Sequence, residues 1–482
     1  MLEISSHKSL KNFLRSNYID WKHIYSFGRI ISKCIQTNQN YLINSEIFLT
    51  DKWYAALLIS LFLNEKDSFF VISKQEIHLL KKDHLKILKD CGFNFVIKNN
   101  QLIFPKHKVT LVTLKDILKC NNDNILQGKR IVLKDIQNLK EDIKRICKIS
   151  LGKKDWFLSN KCQSFQNNEI QRTYDNLKQR FFSRAVLNQK KLYLYKSEII
   201  LLKEFFRKNE SFSCKFSHVN SALSTSWASW INLNYENFEW KLILEPIDEI
   251  LVIKNFLRKN FFVFLSAYRK DNFFQKYLKS HDLYIDLVIN FKSDFEEKIF
   301  SIYIPPRLML PNNPLFIESV ISQIFKLFII QKKFTLILIS KTDLKINLAT
   351  KLAAKFGYLV SLETFPKDNN SILVASYDWW IQNQSRCQLP SQIIIPIVPI
   401  PDIAEPINEQ TISYHFKNSK DWFRDFLLPE AINKIDKAVL PLRKNSGSLV
   451  ILDGRVSTKQ WGRELIKKIQ PSRVLNHMFP FE

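Results

Sequence analysis

Short apolar runs recur along most of this chain, each four to eight residues long and each followed by a stretch of helical period. The segments YLINSEIFLT, SFFVISKQEIHLL, KVTLVT and RIVLKD carry such runs in the first 150 residues. FFVFLSAY stands near the middle, and FTLILIS, SILVAS, QIIIPIV and SLVILD fill the last third. A strand that is apolar at consecutive positions needs cover on both faces, and amphipathic helices between strands supply it. The pattern predicts an α/β protein with two lobes, each a parallel sheet flanked by helices. From about Leu151 to Asn237 it gives way to a polar, basic, helical stretch (NEIQRTYDNLKQRFFSRAVLNQKKLYLY) without evident strands. The expected organisation is therefore a first lobe at 1–150, a helical insertion at 151–237, a return to the first lobe at 238–299, and a second lobe at 300–482.

Only eight glycines occur in 482 residues, at 28, 92, 128, 152, 357, 447, 454 and 462. Average usage is about 7%. No two are close enough to build a glycine-rich phosphate loop, so a nucleotide site here must do without that backbone cradle. Lys and Arg outnumber Asp and Glu by 72 to 46, a net charge of +26. Such a balance suits a polyanionic partner. The abundance of Lys, Asn, Ile and Phe also follows from AT-rich codons, which leaves both origins of the charge open. The seven cysteines lie far apart with no CxxC, which is not a disulfide framework. The N-terminus has no apolar core of signal-peptide type, and the richest apolar runs are too short to span a bilayer. The expectation is a soluble, cytoplasmic protein with no membrane partner.

The run Ser446 to Leu465, SGSLVILDGRVSTKQWGREL, places a buried strand before Asp453-Gly454-Arg455, then Thr458 to Gly462 and a basic helix. It resembles the end of the second motor lobe in DinG/XPD-type superfamily 2 DNA helicases. Further pieces resemble that family in the same order. Pro246 and Asp248 fit its Pro-x-Asp turn, and Ser266-Ala267 the middle of its Thr-Ser-Ala-Thr motif. Trp380 fits its Trp-Glu-Gly motif, with Ile381 and Gln382 in place of Glu and Gly. Pro399, Pro406 and the Pro429-Glu430-Ala431 helix follow. The resemblance covers nearly the whole second half. It implies two RecA-like lobes, single-stranded DNA or another nucleic acid as partner, and ATP with Mg as cofactors if the motor is active.

The positions for ATP chemistry depart from the family pattern. A phosphate loop needs small residues, a lysine for the outer phosphates and a hydroxyl for magnesium. Here Thr50-Asp51-Lys52 stands where the family has Thr-Gly-Lys, so Thr50 and Lys52 are the nucleotide-binding candidates. Leu49 and Asp51 replace glycines, and Trp53 replaces the magnesium-binding hydroxyl. The plainer reading of Lys52 is an exposed lysine at the start of a helix. The acidic pair should follow the strand RIVL. One alignment puts Lys134 in place of the magnesium Asp and Asp135 in place of the Glu; the other leaves Ile136 at the Glu position. Asp135 is thus a catalytic candidate or an ordinary turn residue. Of the family's two phosphate-facing arginines the first has no counterpart, and Arg443 or Lys444 could stand for the second, on a helix that Pro441 should cut short; Arg443 is the catalytic candidate.

Many relatives hold an iron–sulfur cluster on four cysteines. Cys91, Cys120 and Cys147 lack the spacing, so no cluster is expected. The nucleic-acid candidates by position are Ser266 and Arg269 in the first lobe, and Ser340, Lys341, Thr342, Trp380 and Arg386 in the second. Of Trp379 and Trp380, one should be core, because adjacent residues face opposite ways in extended chain. The resemblance implies a protein of helicase lineage that binds single-stranded nucleic acid, with ATP hydrolysis weak or lost. Two alternatives stay open: an active helicase with divergent motifs, and a non-enzymatic subunit of a repair or replication assembly.

Overall fold

In a computed structural model the described residues are 2–120, 127–157, 164–186, 190–210, 214–223, 226–267, 272–291, 299–331, 333–366, 368–384 and 386–475. The chain forms two compact units, Met1–Asp294 and Phe295–Glu482.

In the first unit, β1 (Tyr41–Asn44), β2 (Ser68–Val71), β3 (Val96–Lys98), β4 (Gln101–Ile103), β5 (Lys108–Val112) and β6 (Arg130–Leu133) precede the insertion. The insertion region contributes β7 (Ile149–Leu151), β8 (Lys191–Tyr193), β9 (Trp227–Asn234) and β10 (Glu239–Pro246). The chain then returns with β11 (Phe261–Ser266) and β12 (Leu287–Asn290). The main sheet runs β12-β1-β11-β6-β2-β5-β4-β3, parallel except where β3 and β4 turn back at one edge.

The consecutive apolar residues of these strands split between two cores. Ile43, Phe70, Val132, Val263 and Leu265 pack on one face with the helices Ile24–Gln36 and Tyr54–Leu63. Leu42, Val71, Ile131, Leu133, Phe262 and Phe264 pack on the other with Leu139–Cys147 and Glu249–Lys259. Because side chains alternate across a strand, double-sided burial demands the unbroken apolar runs seen in the sequence. Each fully buried aliphatic or aromatic side chain contributes about 1.5–3 kcal/mol.

The insertion corrects one expectation. Helices Lys153–Phe157, Ser164–Arg184, Lys196–Lys208 and Cys214–Ala222 are present. They cover a four-stranded antiparallel sheet, β7-β10-β9-β8, of which β8 and β9 fall within 151–237, where no evident strands were expected. Its core is aromatic: Trp156, Tyr174, Phe181, Phe206 and Trp240. The strands were hidden because β8 has three residues and the β9–β10 turn, Tyr235 to Phe238, lacks the glycine that marks most tight hairpins.

The second unit is a single parallel sheet ordered β15-β16-β14-β17-β18-β13-β19. Its strands are β13 (Phe300–Tyr303), β14 (Thr335–Leu338), β15 (Val360–Leu362), β16 (Ile372–Ala375), β17 (Gln392–Ile395), β18 (Ser448–Ile451) and β19 (Ser472–Leu475). The same alternation recurs, with Leu336, Leu373, Ile393 and Leu449 on one face and Ile337, Val374, Ile394 and Val450 on the other.

The Asp453-Gly454-Arg455 signature ties this sheet together. Asp453 is fully buried; its Oδ2 accepts from the Val398 amide at 3.0 Å and from Arg455 Nη2 at 2.7 Å. It thereby joins the ends of β17 and β18. A Cβ on Gly454 would come within 2.7 Å of the Leu308 carbonyl, and one on Gly462 within 1.9 Å of the Val456 carbonyl. Both glycines are there because another backbone passes where a side chain would be.

Candidate functional site

Ligands of open parallel α/β sheets collect at the carboxyl ends of the strands. In the first unit that edge gathers Thr50 and Lys52 after β1, Lys134 and Asp135 after β6, and Ser266 at the end of β11. The turn after β1 is closed on itself. Ser45 donates its amide to the Ser266 carbonyl at 2.9 Å, and Thr50 Oγ1 donates to the Ile47 carbonyl at 2.8 Å. Lys52 is partly exposed and donates to the Asp20 carbonyl at 3.0 Å. Asp51 points to solvent, 3.7 Å from the His84 ring.

Trp53 turns inward. It is fully buried, its indole N–H donates to the Thr50 carbonyl at 3.0 Å, and its ring lies 4.9 Å from Phe48 and 4.2 Å from Tyr54. Above it, the Lys134 ammonium donates to the Glu76 carboxylate and to the Tyr54 hydroxyl at 3.3 Å, and stands 5.8 Å from the Trp53 ring centre. The Tyr54 hydroxyl in turn donates to Glu76 at 3.1 Å. Glu76 is fixed as the reciprocal partner of Ser73 in the capping box of helix Lys74–Leu79.

Burial pushes the Glu76 carboxyl up, but the Lys134 ammonium and the donors of Ser73 outweigh it and hold it below the usual carboxylate range. Burial and the Glu76 charge push the Tyr54 phenol far above its ordinary value. Asp135 adopts a left-handed backbone (φ +58°), with its carboxylate 3.8 Å from Lys134.

In the second unit, Ser340, Lys341 and Thr342 are exposed at the carboxyl end of β14, where helix Thr342–Phe356 begins. Lys341 lies 3.9 Å from Asp402. Close by in the fold, Glu363 follows β15 and accepts from Lys345 at 2.7 Å and from Ser376 Oγ at 2.5 Å. Burial pushes the Glu363 carboxyl up, yet these donors override it and bring it down to about 2.

Several candidates lie elsewhere than expected. Trp380 is the core member of its pair: it is fully buried and donates its indole N–H to the Ala438 carbonyl at 3.0 Å. It cannot stack on a base. Trp379 is the half-exposed one, against Phe365 at 5.7 Å. Arg386 is exposed, but it follows helix Tyr377–Asn383, which runs back to the amino edge of the sheet, away from Ser340–Thr342. Arg443 is spent inside its unit, on Asp436 at 3.1 Å, the Ile469 carbonyl at 2.9 Å and the Phe300 ring. The helix before it ends at Val439, two residues ahead of Pro441. Ser266 is buried, and Arg269 lies outside the described residues. Glu76 was missed; its one signal was Ser73-x-x-Glu76, which announces a helix cap and not a lysine partner.

No family model matches the chain. A stretch of 126 residues is 29% identical to the ATP-dependent DNA helicase YoaA of Haemophilus influenzae, covering 25% of this chain and about a fifth of that relative's length. The Xpd4 structure of S. tokodaii superposes with a TM-score of 0.57 at 12% identity, over 94% of this chain and 100% of that one. An XPD helicase structure gives 0.56 at 11% identity, over 94% of this chain and 99% of that one. The chain shares the fold of these XPD structures. Its fold is that of two RecA-like lobes.

The fit of the first-lobe residues to a nucleotide can be judged from their own chemistry. A magnesium-held triphosphate needs a hydroxyl at the head of the helix, a carboxylate after β6, and backbone amides open to the phosphates. Here a core tryptophan stands at the head of the helix, and after β6 the Lys134 ammonium is seated on Glu76 with the Asp135 carboxylate 3.8 Å away. That donor set does not fit a magnesium triphosphate. For an iron–sulfur cluster, Cys91 is half-buried and accepts from Asn17 at 3.3 Å, while burial pushes the Cys147 thiol up to about 11. The Cys120 side chain lies outside the described residues. Among the described residues no group of three or more His, Cys, Asp or Glu could hold a metal ion, and no helix is long and apolar enough to cross a membrane.

Proposed function

We propose that this chain binds single-stranded nucleic acid on its helicase frame, with ATP hydrolysis weak or lost. The observation that carries the reading is the Lys134–Glu76 pair. On the alignment that gives Lys134 the magnesium Asp's place, a cation of the protein takes the role of a nucleotide's metal, and its countercharge is a protein carboxylate. Incoming phosphates would have to break a shielded ion pair, of which Lys134 keeps only 9% side-chain exposure.

Nucleic-acid binding tolerates such change, because phosphate contacts need only amides, hydroxyls and basic side chains. The exposed Ser340, Lys341 and Thr342 at a helix start are of that kind, and the +26 net charge favours a polyanion. The test is ATP hydrolysis by the purified protein with and without single-stranded DNA, beside Lys52→Ala. No turnover, with DNA binding that weakens as salt rises, is the expected result.

The second reading is an active helicase with divergent motifs. It draws on Lys52, whose ammonium rests on a backbone carbonyl near the surface and could be recruited by phosphate. DNA-stimulated turnover abolished by Lys52→Ala would establish that reading. Absent or salt-independent DNA binding would leave a structural subunit of an assembly.

A further inference from the structure

We propose that the tip of the β9–β10 hairpin in the insertion is a base-stacking surface for single-stranded nucleic acid, centred on Phe238. The proposal rests on the reading of this chain as a nucleic-acid binder and adds a site outside the motor motifs. The loop Tyr235–Phe238 is closed by the Asn234–Glu239 pair. Phe238 has φ +48° and is 59% exposed. A bulky aromatic in the left-handed region is an outlier; Gly or Asn takes that conformation at little cost. A large ring held outward, at the cost of backbone strain, marks a position kept for what the ring touches.

Phe238 does not stand alone. The half-buried Phe182 ring lies 5.6 Å from Phe238 and meets Tyr235 edge-on at 5.7 Å.

Charge decides the occupant. Lys178 precedes Phe182 by one helical turn, on the same face. Lys190 is exposed and its carbonyl accepts from the Leu233 amide at 2.8 Å, which fixes it beside the hairpin; Lys191 is exposed next to it, opposite Asn232. Of the turn's acids, Glu239 faces Lys153 at 3.8 Å, and Glu236 is exposed. Residues 151–246 carry fifteen Lys and Arg against nine Asp and Glu. Protein–protein interfaces are depleted in lysine, whereas single-strand sites combine aromatic faces for the bases with ammonium groups for the phosphates.

The experiment uses the full chain and oligo-dT carrying one 2-aminopurine, at about 50 mM salt, where phosphate contacts are strong. Anisotropy reads affinity and 2-aminopurine fluorescence reads stacking. Phe238→Asn removes the ring but suits the left-handed turn, so its melting temperature should hold or rise. Binding should weaken about tenfold, and the fluorescence quenching should disappear. Phe238→Tyr should restore both.

Wild-type binding without quenching overturns the proposal, as does Phe238→Asn binding within twofold of wild type; the parent reading survives either result. Wild-type protein that does not bind oligo-dT at all overturns the parent reading and this proposal with it. If Phe238→Asn loses affinity for phosphatidylserine vesicles but not for oligo-dT, the surface is a membrane site and the proposal falls.

Discussion

Replacing Lys134 with Met should destabilise the first unit far more than an ordinary lysine substitution would. The ammonium is nearly buried, and its removal leaves Glu76 charged and largely shielded, with Tyr54 and Ser73 as remaining donors. Breaking one partner of a buried pair costs about 3–5 kcal/mol. The surviving donors to Glu76 put the expectation at the lower end, about 3 kcal/mol, or roughly a hundredfold in an opening equilibrium.

Hydrogen exchange reads this locally, which matters in a chain of two units. The Lys134 amide, bonded to the Val71 carbonyl at 3.3 Å, and the amides of helix Lys74–Leu79 should exchange roughly a hundredfold faster, while β14 and β17 are unchanged. The double variant Lys134→Met with Glu76→Gln removes both charges and should recover most of the loss, because a buried pair is close to neutral against an uncharged substitute. Exchange in Lys134→Met within about threefold of wild type would refute the idea of an internal cation that holds this site closed.

Trp53→Ser restores a hydroxyl at the head of the helix but empties a buried aromatic cluster. It should cost about 3–5 kcal/mol by denaturation and confer no ATP hydrolysis in a turnover assay. Gly462→Ala drives a methyl into the Val456 carbonyl and should lower stability by about 1–3 kcal/mol, although alanine is the better helix former; urea titration reads the sign. Glu363 has its carboxyl depressed in the folded state, so the stability it lends is complete above about 4.5 and is lost as pH falls towards about 2. In an acid titration, Glu363→Gln should flatten that part of the stability curve in the second unit.

The two parallel sheets were legible because double-sided burial leaves local marks: Leu336 to Ile339 and Ile393 to Ile395 are apolar without a break, and each is followed by a helical stretch. The Asp453-Gly454-Arg455 signature was legible for a related reason, since Gly454 and Gly462 are required wherever backbones cross so closely. The erosion at Thr50–Trp53 and at Lys134 could likewise be read as residue types at positions. What those residues do instead came only from the tertiary structure. Glu76 is 58 residues from Lys134 in sequence, and nothing near either residue announces the other. Trp379 and Trp380 have the same local context, and packing under Ala438 alone made one of them core. Arg443 was drawn to Asp436 and Phe300 by the fold of its own unit, and the β9–β10 hairpin closed without a glycine. The physical reason is common to all of these cases: periodicity and steric need are written along the chain, whereas the partner of a charge or a ring is chosen by contacts between distant segments.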